Sequence, residues 1–371
     1  MTNRNLEPTL TMTDGKINVL VVDDSNVAQM LLVHILESDP EIRVVGTVSD
    51  GQAALDFLKK GTPDVILMDL HMPGMDGFEA TRRIMETKPV PIIVCTATAD
   101  PKDLATAFRV MEVGALACVE KPVGREHAEF DQMAAHLRQT VKLMSEVKVV
   151  RRWARTRLAS APASVARPAV SSHAAAEIKF IGIGASTGGP QVLQEILAGL
   201  PKTFPVPILI VQHIAHGFLP GLAEWLNQTT GFQIHVGAHG VQPLPGHVYL
   251  APDDFHMGIS ASGRILLAKE EPEDGLRPAV SYLFRSLAEV IGPTAVGVLL
   301  TGMGRDGATE LKSMKDKGAV TIAQDRESSV VNGMPGEAVK LGGATYVLPA
   351  GQIADRLVAV VNGRTAQEIE S

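Results

Sequence analysis

Residues Ile17–Ser25, with the sequence INVLVVDDS, decide the fold of the N-terminal part of this chain. Ile17–Val22 is an almost uninterrupted apolar run, which is typical of a strand buried on both faces of a sheet. Ser25 comes just after it and is suited to cap a following helix. The same cycle of apolar strand and helix recurs to about residue 137 and resumes at residue 179. Strands that alternate with helices predict parallel sheets of the α/β class.

The length of the chain predicts more than one domain. It has 371 residues, and roughly 150 residues per domain is usual, so we expect two or three domains. We predict a flexible tail over residues 1–16 and a first domain over residues 17–137. A basic helical extension and linker follows over residues 138–176. A second, doubly wound domain with a mostly parallel sheet and a β-hairpin insertion occupies residues 177–371. The predicted insertion consists of three short β segments: Val248–Ala251, His256–Ile259 and Arg264–Ala268.

The composition excludes several classes of protein. Lysine and arginine total 34 against 41 acidic residues, a net charge of −7, so we expect no nucleic acid as partner. Cys95 and Cys118 are too few for a disulfide framework and fit a reducing compartment. The longest apolar runs, Val206–Val211 and Ala295–Leu300, are strand-sized and too short to span a membrane. Met1–Asp14 has no apolar core typical of a secretory signal, so we expect a cytoplasmic protein without membrane insertion.

Polar side chains stand where the strands of the first domain end. Asp23 and Asp24 follow the first strand, Asp69 the third, Thr96 the fourth and Lys121 the fifth. Because the carboxyl ends of parallel strands share one edge of a sheet, we expect these side chains to converge. Three carboxylates in one place repel one another unless a cation joins them, and oxygen ligands suit Mg²⁺. The sequence therefore predicts a Mg²⁺ site beside a lysine that can meet a phosphoryl group.

These residues stand in motifs that resemble those of response-regulator receiver domains. The motifs are VLVVDDS at 19–25, DLHMPGMDG at 69–77, the threonine after IIVC, and EKP at 120–122. The resemblance implies a flavodoxin-like fold in which Asp69 is the phospho-acceptor. It also implies that Thr96 and Lys121 are the switch residues, and that Mg²⁺ is held by Asp23, Asp24, Asp69 and the backbone carbonyl of His71. Cys118 stands where many receivers carry an aromatic switch residue.

The segment Gly182–Gly189, GIGASTGG, joins a predicted strand to a helix in the second domain and fits two interpretations. It resembles a dinucleotide-binding loop, and it also resembles the turn that presents a nucleophilic serine. A dinucleotide site needs an acidic residue about 20 positions on. No Asp or Glu occurs between Glu195 and Glu224, and the next strand ends in Gln212-His213 instead. The pattern therefore favours Ser186 as a nucleophile with His213 as its base.

The base of a serine nucleophile needs a carboxylate to orient it. Asp306 follows the strand Ala295–Leu300, and it can reach His213 if that strand lies on the other side of the serine strand. A zinc hydrolase is the weaker alternative, because His213 and His216 have no carboxylate at metal-site spacing. The chain order Ser186, His213, Asp306 also differs from the serine, acid, histidine order of α/β-hydrolases.

The motifs GASTGG, QH and TGMGRDGA, in this order after a receiver, resemble the CheB family of chemotaxis methylesterases. The resemblance implies hydrolysis of glutamate methyl esters on chemotaxis receptors with release of methanol, and deamidation of receptor glutamines. It implies no cofactor for the esterase reaction, the backbone N–H of Met303 as an oxyanion donor, and a CheA-type histidine kinase as phosphodonor. It further implies that the unphosphorylated receiver covers the catalytic crevice. A DNA-binding response regulator and a non-catalytic binding module are the alternatives.

Overall fold

The computed structural model describes residues 15–96, 101–122, 124, 130–147, 149 and 177–363. The chain divides into two compact units, one built on a five-stranded sheet and the other on a seven-stranded sheet. The predicted N-terminal tail falls almost wholly outside the described residues, as does most of the predicted linker. In the described part of the chain, no helix combines the length and the apolar character needed to cross a membrane.

The first unit is a parallel sheet with strand order β2-β1-β3-β4-β5, the flavodoxin-like arrangement that the receiver resemblance predicts. Its strands are β1 Ile17–Val22, β2 Ile42–Val48, β3 Val65–Met68, β4 Ile92–Thr96 and β5 Ala117–Glu120. Its helices are α1 Asn26–Glu37, α2 Gly51–Lys60, α3 Gly77–Thr87, α4 Pro101–Glu112 and α5 Phe130–Ser145. Helix α5 runs beyond residue 137, so the predicted end of the first domain falls inside a helix.

Short polar residues begin three of these helices. Ser25, Asp50 and Asp76 each accept a hydrogen bond from a backbone N–H in the first turn of α1, α2 and α3. These bonds satisfy donors that would otherwise have no partner at a helix start. Helix α1 therefore begins directly after Asp23 and Asp24, and this brings both carboxylates to the edge of the sheet.

The second unit is a doubly wound parallel sheet with strand order β14-β13-β12-β6-β7-β9-β8. Its strands are β6 Phe180–Ala185, β7 Ile208–Gln212, β8 Gln233–Val236, β9 His247–Leu250, β12 Ala295–Leu299, β13 Val320–Gln324 and β14 Tyr346–Leu348. Its helices are α6 Gly189–Gly199, α7 Leu219–Thr230, α8 Val280–Val290, α9 Ala308–Asp316, α10 Met334–Lys340 and α11 Ala350–Val361. The predicted neighbours of β6 are confirmed, because β7 lies on one side of it and β12 on the other.

The β-hairpin insertion is smaller than the sequence predicts. Only β10, His256–Ile259, and β11, Ile265–Ala268, pair as an antiparallel hairpin. The segment that was expected to belong with them, β9, instead enters the main sheet between β7 and β8, parallel to both. Its residues Val248 and Leu250 are fully buried, and a strand in the middle of a sheet needs apolar side chains of this kind.

Two glycines in β6 allow α8 to pack directly on the sheet. A Cβ added at Gly182 would lie 2.4 Å from Leu287 Cδ1, and one at Gly184 would lie 2.3 Å from Val280 Cγ1. Leu287 and Val280 are themselves fully buried. The glycines of this strand therefore serve close packing between helix and sheet.

We expect Gly184→Ala to destabilise the second unit. Overpacking of a filled core costs about 1–3 kcal/mol. Gly351→Ala is the matched control, because Gly351 is exposed in the first turn of α11 and a Cβ there would meet only the end of the flexible Glu195 side chain, at 3.1 Å. Urea unfolding followed by peptide-resolved hydrogen exchange measures both changes. Equal midpoints for Gly184→Ala and the unsubstituted chain would contradict this account of the packing.

Candidate active site and phosphorylation site

The acidic residues of the first unit meet at the carboxyl edge of its sheet, as predicted. Carboxylate oxygens of Asp23, Asp24 and Asp69 all lie within 4.8 Å of one another. Lys121 Nζ is 2.7 Å from Asp23 Oδ2 and 2.9 Å from Asp69 Oδ2. Gly77 closes this edge tightly, since a Cβ there would lie 2.1 Å from the Asp69 carbonyl oxygen.

Burial sets the electrostatics of this pocket. Burial raises the pKa of the Asp69 carboxyl, the charge of Asp23 adds to the increase, and Lys121 only partly opposes it. Burial lowers the pKa of Lys121, but the two carboxylates that it contacts more than reverse this, so its pKa is raised. Lys121 therefore keeps its positive charge between two carboxylates.

The donor set of this pocket fits Mg²⁺. Mg²⁺ takes oxygen ligands at about 2.0–2.1 Å and keeps several waters, so carboxylates can bind it directly or through water. Asp24 is exposed and Asp23 and Asp69 are buried, which leaves one side of the cluster open to solvent. Within the described residues, this is the only group of three or more acidic, histidine or cysteine side chains that could hold a metal ion.

Three further residues of the first unit, Thr96, Cys118 and His71, differ in their surroundings. The buried Thr96 Oγ1 has no hydrogen-bond partner among the described residues, so its hydroxyl is available to a ligand at the same edge. Cys118 lies on β5 opposite Val94 of β4. Burial raises the pKa of the Cys118 thiol to about 12, so it stays protonated near neutral pH. His71 lies in the exposed loop between β3 and α3.

Ser186 directly follows β6, and three hydrogen bonds hold its backbone N–H and carbonyl in place. Its N–H donates to the Thr301 carbonyl at 3.0 Å. Its carbonyl accepts from the Gly189 N–H at 2.8 Å and from Gln212 Nε2 at 2.9 Å. Gly188, in the left-handed region at φ 79°, turns the chain into α6. These contacts fix Ser186 at a half-buried position beside the start of a helix.

His213 and Asp306 come together at the same edge. The backbone N–H of His213 donates to the Ala185 carbonyl at 2.9 Å, so His213 continues the β6–β7 backbone pairing next to Ser186. His213 Nε2 lies 3.0 Å from Asp306 Oδ2. This is an ion-pair distance, although the ring N–H is not aligned well enough to count as a hydrogen bond. Nε2 is thus the ring nitrogen that faces the acid.

The start of α8 holds Asp306. The N–H of Val280 donates to Asp306 Oδ2 at 2.7 Å, and that of Ser281 donates to Oδ1 at 2.9 Å. Burial alone would raise the pKa of this carboxyl, but the His213 ring and the bonds from Ser281 outweigh it, so the pKa is lowered. Asp306 is therefore ionised near neutral pH and can accept from an imidazole.

The loop after β12 brings backbone close to the serine. A Cβ on Gly302 would lie 2.7 Å from Ser186 Cβ, so only glycine fits there. Among the described residues, the Met303 N–H has no acceptor. This N–H follows Gly302 directly, which suits it to meet an oxyanion formed at Ser186.

Family models match parts of both units of the chain. The response regulator receiver domain matches residues 19–129, and the CheB methylesterase domain matches residues 181–357. A protein-glutamate methylesterase/protein-glutamine glutaminase of Nitrosospira multiformis is 52% identical over 348 residues, covering 94% of this chain and 98% of that protein. One of Syntrophus aciditrophicus is 51% identical over 343 residues, covering 92% and 97%. The chain belongs to the CheB methylesterase family.

A solved structure of the family is also similar. The CheB methylesterase catalytic domain of Thermotoga maritima is 40% identical and covers 50% of this chain and 100% of that one, with a TM-score of 0.49. With the family shown, the dinucleotide-binding and DNA-binding interpretations fall away. The zinc interpretation has no support either, since His216 contacts only the exposed Asp254, at 3.3 Å, among the described residues.

Two residues of this CheB site escaped the sequence analysis. Gln212 Nε2 donates to the carbonyls of both Ser186 and His213, at 2.9 and 2.8 Å, and so ties the two together. The buried Thr301 donates from Oγ1 to the Thr187 carbonyl at 2.9 Å. The sequence places Gln212 and His213 at the end of a strand, but it does not indicate that the Gln212 side chain turns back to the Ser186 carbonyl.

We expect Mg²⁺ to stabilise the first unit against thermal unfolding, because it binds the folded pocket and relieves repulsion between carboxylates. Asp23→Ala should abolish the rise in melting temperature. Asp56→Asn is the control, because Asp56 lies on the exposed surface of α2 and pairs there with Lys59. Differential scanning fluorimetry with and without Mg²⁺ tests this. An undiminished response in Asp23→Ala would show that Mg²⁺ binds elsewhere.

Proposed function

We propose that this chain is a phosphorylation-controlled serine hydrolase that demethylates glutamate methyl esters of chemotaxis receptors and deamidates receptor glutamines. Membership of the CheB methylesterase family supports the reaction class. The observation that carries the residue assignment is the convergence of Ser186, His213 and Asp306 at one sheet edge, with Nε2 of the imidazole 3.0 Å from the acid. Adaptation in chemotaxis signalling follows from removing these modifications.

In this mechanism His213 is the general base for Ser186. Asp306 holds the proton on Nε2, which leaves the Nδ1 lone pair to take the Ser186 hydroxyl proton. Oγ attacks the ester carbonyl and forms a tetrahedral oxyanion. The Met303 N–H and the start of α6 stabilise the negative charge on that oxygen.

Collapse of the oxyanion completes the first half of the reaction. The C–O bond to the methoxy group breaks, and His213 returns its proton to the departing methanol. Water then attacks the acyl-enzyme, His213 takes its proton, and the glutamate carboxyl is released as Ser186 is restored. With a glutamine side chain as substrate, ammonia leaves in place of methanol and the same product results.

The first unit supplies the control. We assign Asp69 as the phospho-acceptor, with Asp23, Asp24, Asp69 and the His71 carbonyl as the Mg²⁺ ligands and a histidine kinase of the CheA type as the donor. Mg²⁺, when bound, neutralises charge on the transferring phosphoryl group. Lys121 and the unpartnered Thr96 hydroxyl are placed to meet the oxygens of the phosphorylated Asp69. Cys95 and Cys118 are unpaired, which suits a cytoplasmic enzyme.

We expect Ser186→Ala to lower the rate of methanol release from methylated receptors by about 10³–10⁶-fold, because the nucleophile is lost while the fold stays intact. Ser262→Ala, at an exposed position of the β10–β11 turn, should keep the original rate. An activated-serine probe should label the unsubstituted chain and not Ser186→Ala. Receptor binding without methanol release by the unsubstituted chain would support a binding module instead.

We expect a small-molecule phosphodonor with Mg²⁺ to raise the esterase rate several-fold, because phosphorylation biases a two-state equilibrium of the receiver. Asp69→Asn should remove this rise and leave the basal rate unchanged. Asp50→Asn, at the start of α2, serves as the control and should still respond. Equal activation of Asp69→Asn would mean that the phosphoryl group acts at another residue.

A further inference from the structure

His256 is a buried histidine that the mechanism above does not use. It begins β10 and is 0% exposed. Its ring stacks on that of Tyr282 in α8, with centroids 4.8 Å apart. A polar ring in this position has to find partners for both of its nitrogens within the protein.

Both nitrogens of His256 have backbone partners. The Ala279 N–H donates to Nδ1 at 3.2 Å, and Nε2 lies 3.1 Å from the Glu271 carbonyl oxygen. An N–H can only donate and a carbonyl can only accept, so Nε2 carries the proton and Nδ1 is the acceptor. His256 is thus held as one neutral tautomer.

The backbone that His256 holds continues directly into the backbone that holds Asp306. Ala279, Val280 and Ser281 present three consecutive N–H groups at the start of α8. The first goes to His256 Nδ1, and the next two go to Oδ2 and Oδ1 of Asp306. Ala279, at the N-cap, makes no side-chain cap of its own. The N–H groups at the start of α8 therefore find their acceptors in side chains from elsewhere in the unit.

We propose that His256 is a positioning residue for the hydrolytic reaction. It fixes the start of α8 so that the Val280 and Ser281 N–H groups point at Asp306, and Asp306 in turn orients His213. This inference rests on the proposed roles of Asp306 and His213. In this role the important atom of His256 is the acceptor Nδ1, because it binds the Ala279 N–H, which is next to the two N–H groups that hold Asp306.

The chain offers a control for simple loss of packing. Ser286, also on α8, accepts from the Ile259 N–H at 2.7 Å and donates to the Ile259 carbonyl at 3.0 Å. Ser286→Ala removes two bonds between the same strand and helix, but away from the Asp306 end. It should destabilise the unit without disturbing the acid.

The experiment compares His256→Phe, His256→Asn, His256→Gln and Ser286→Ala in the full chain. Phenylalanine keeps the stacking and removes both polar contacts. Asparagine places an acceptor near the Nδ1 position, whereas glutamine places its amide near the Nε2 position. The readouts are kcat and KM for methanol release from methylated receptors, the melting temperature, and the amide proton signals of Val280 and Ser281 in NMR spectra.

We expect His256→Phe to lower kcat on the order of 10–100-fold, as misplacement of a catalytic group does, with KM within about twofold. His256→Asn should recover most of kcat and His256→Gln should not. The Val280 and Ser281 amide signals should shift in His256→Phe and stay in place in Ser286→Ala, which should keep its kcat.

An unchanged kcat in His256→Phe would overturn the inference. A Ser286→Ala variant that melts at the same temperature as His256→Phe and loses as much kcat would also overturn it. If His256→Phe does not fold, the Asn and Gln variants decide, and a kcat for His256→Gln at or above that of His256→Asn would contradict the inference. Failure of the proposed function itself is distinguishable, because it would appear as methanol release retained in Ser186→Ala.

Discussion

The pairing of β6 with β7 on one side and β12 on the other is the constraint on which the second unit depends. The chain runs from β6 directly to β7, but it reaches β12 only after β8–β11 and α8, so the strand order reverses at β6. In open α/β sheets, ligands bind at the carboxyl ends of the strands at such a switch point. Ser186, His213 and Asp306 each follow one of the three strands. Residues separated by more than a hundred positions along the chain thereby share one edge, with Asp306 in the loop that joins β12 to α9.

Both sites contain a buried carboxylate at the carboxyl edge of a parallel sheet, but the surroundings of the two carboxylates move their pKa in opposite directions. At Asp69 burial and a neighbouring aspartate outweigh one lysine, and the pKa is raised. At Asp306 the His213 imidazole and the bonds from Ser281 outweigh the burial, and the pKa is lowered. A bound cation would therefore stabilise the ionised carboxylates of the first pocket, whereas groups of the protein already stabilise the charge of Asp306 in the second.

The sequence predicts most of the fold and which polar side chains meet at the sheet edges, because buried strands are apolar and are followed by polar residues. It does not predict the position of β9, since a four-residue apolar run looks the same in a hairpin and in the middle of a sheet. It also gives no sign that backbone N–H groups of α8 hold Asp306, because such donors belong to every residue type. That Nε2 of His213 faces Asp306 depends on the orientation of the ring, which no sequence motif specifies.

Gly184, in the strand that leads to Ser186, has no side chain and therefore leaves room for the helix that holds Asp306. Val280 fills the space that a Cβ at residue 184 would take, and the N–H of the same Val280 binds Asp306. Any enlargement at one position therefore has to be matched by a reduction at the other. Across the family, residues 184 and 280 should co-vary in size, so that sequence drift in this core is restricted to paired changes.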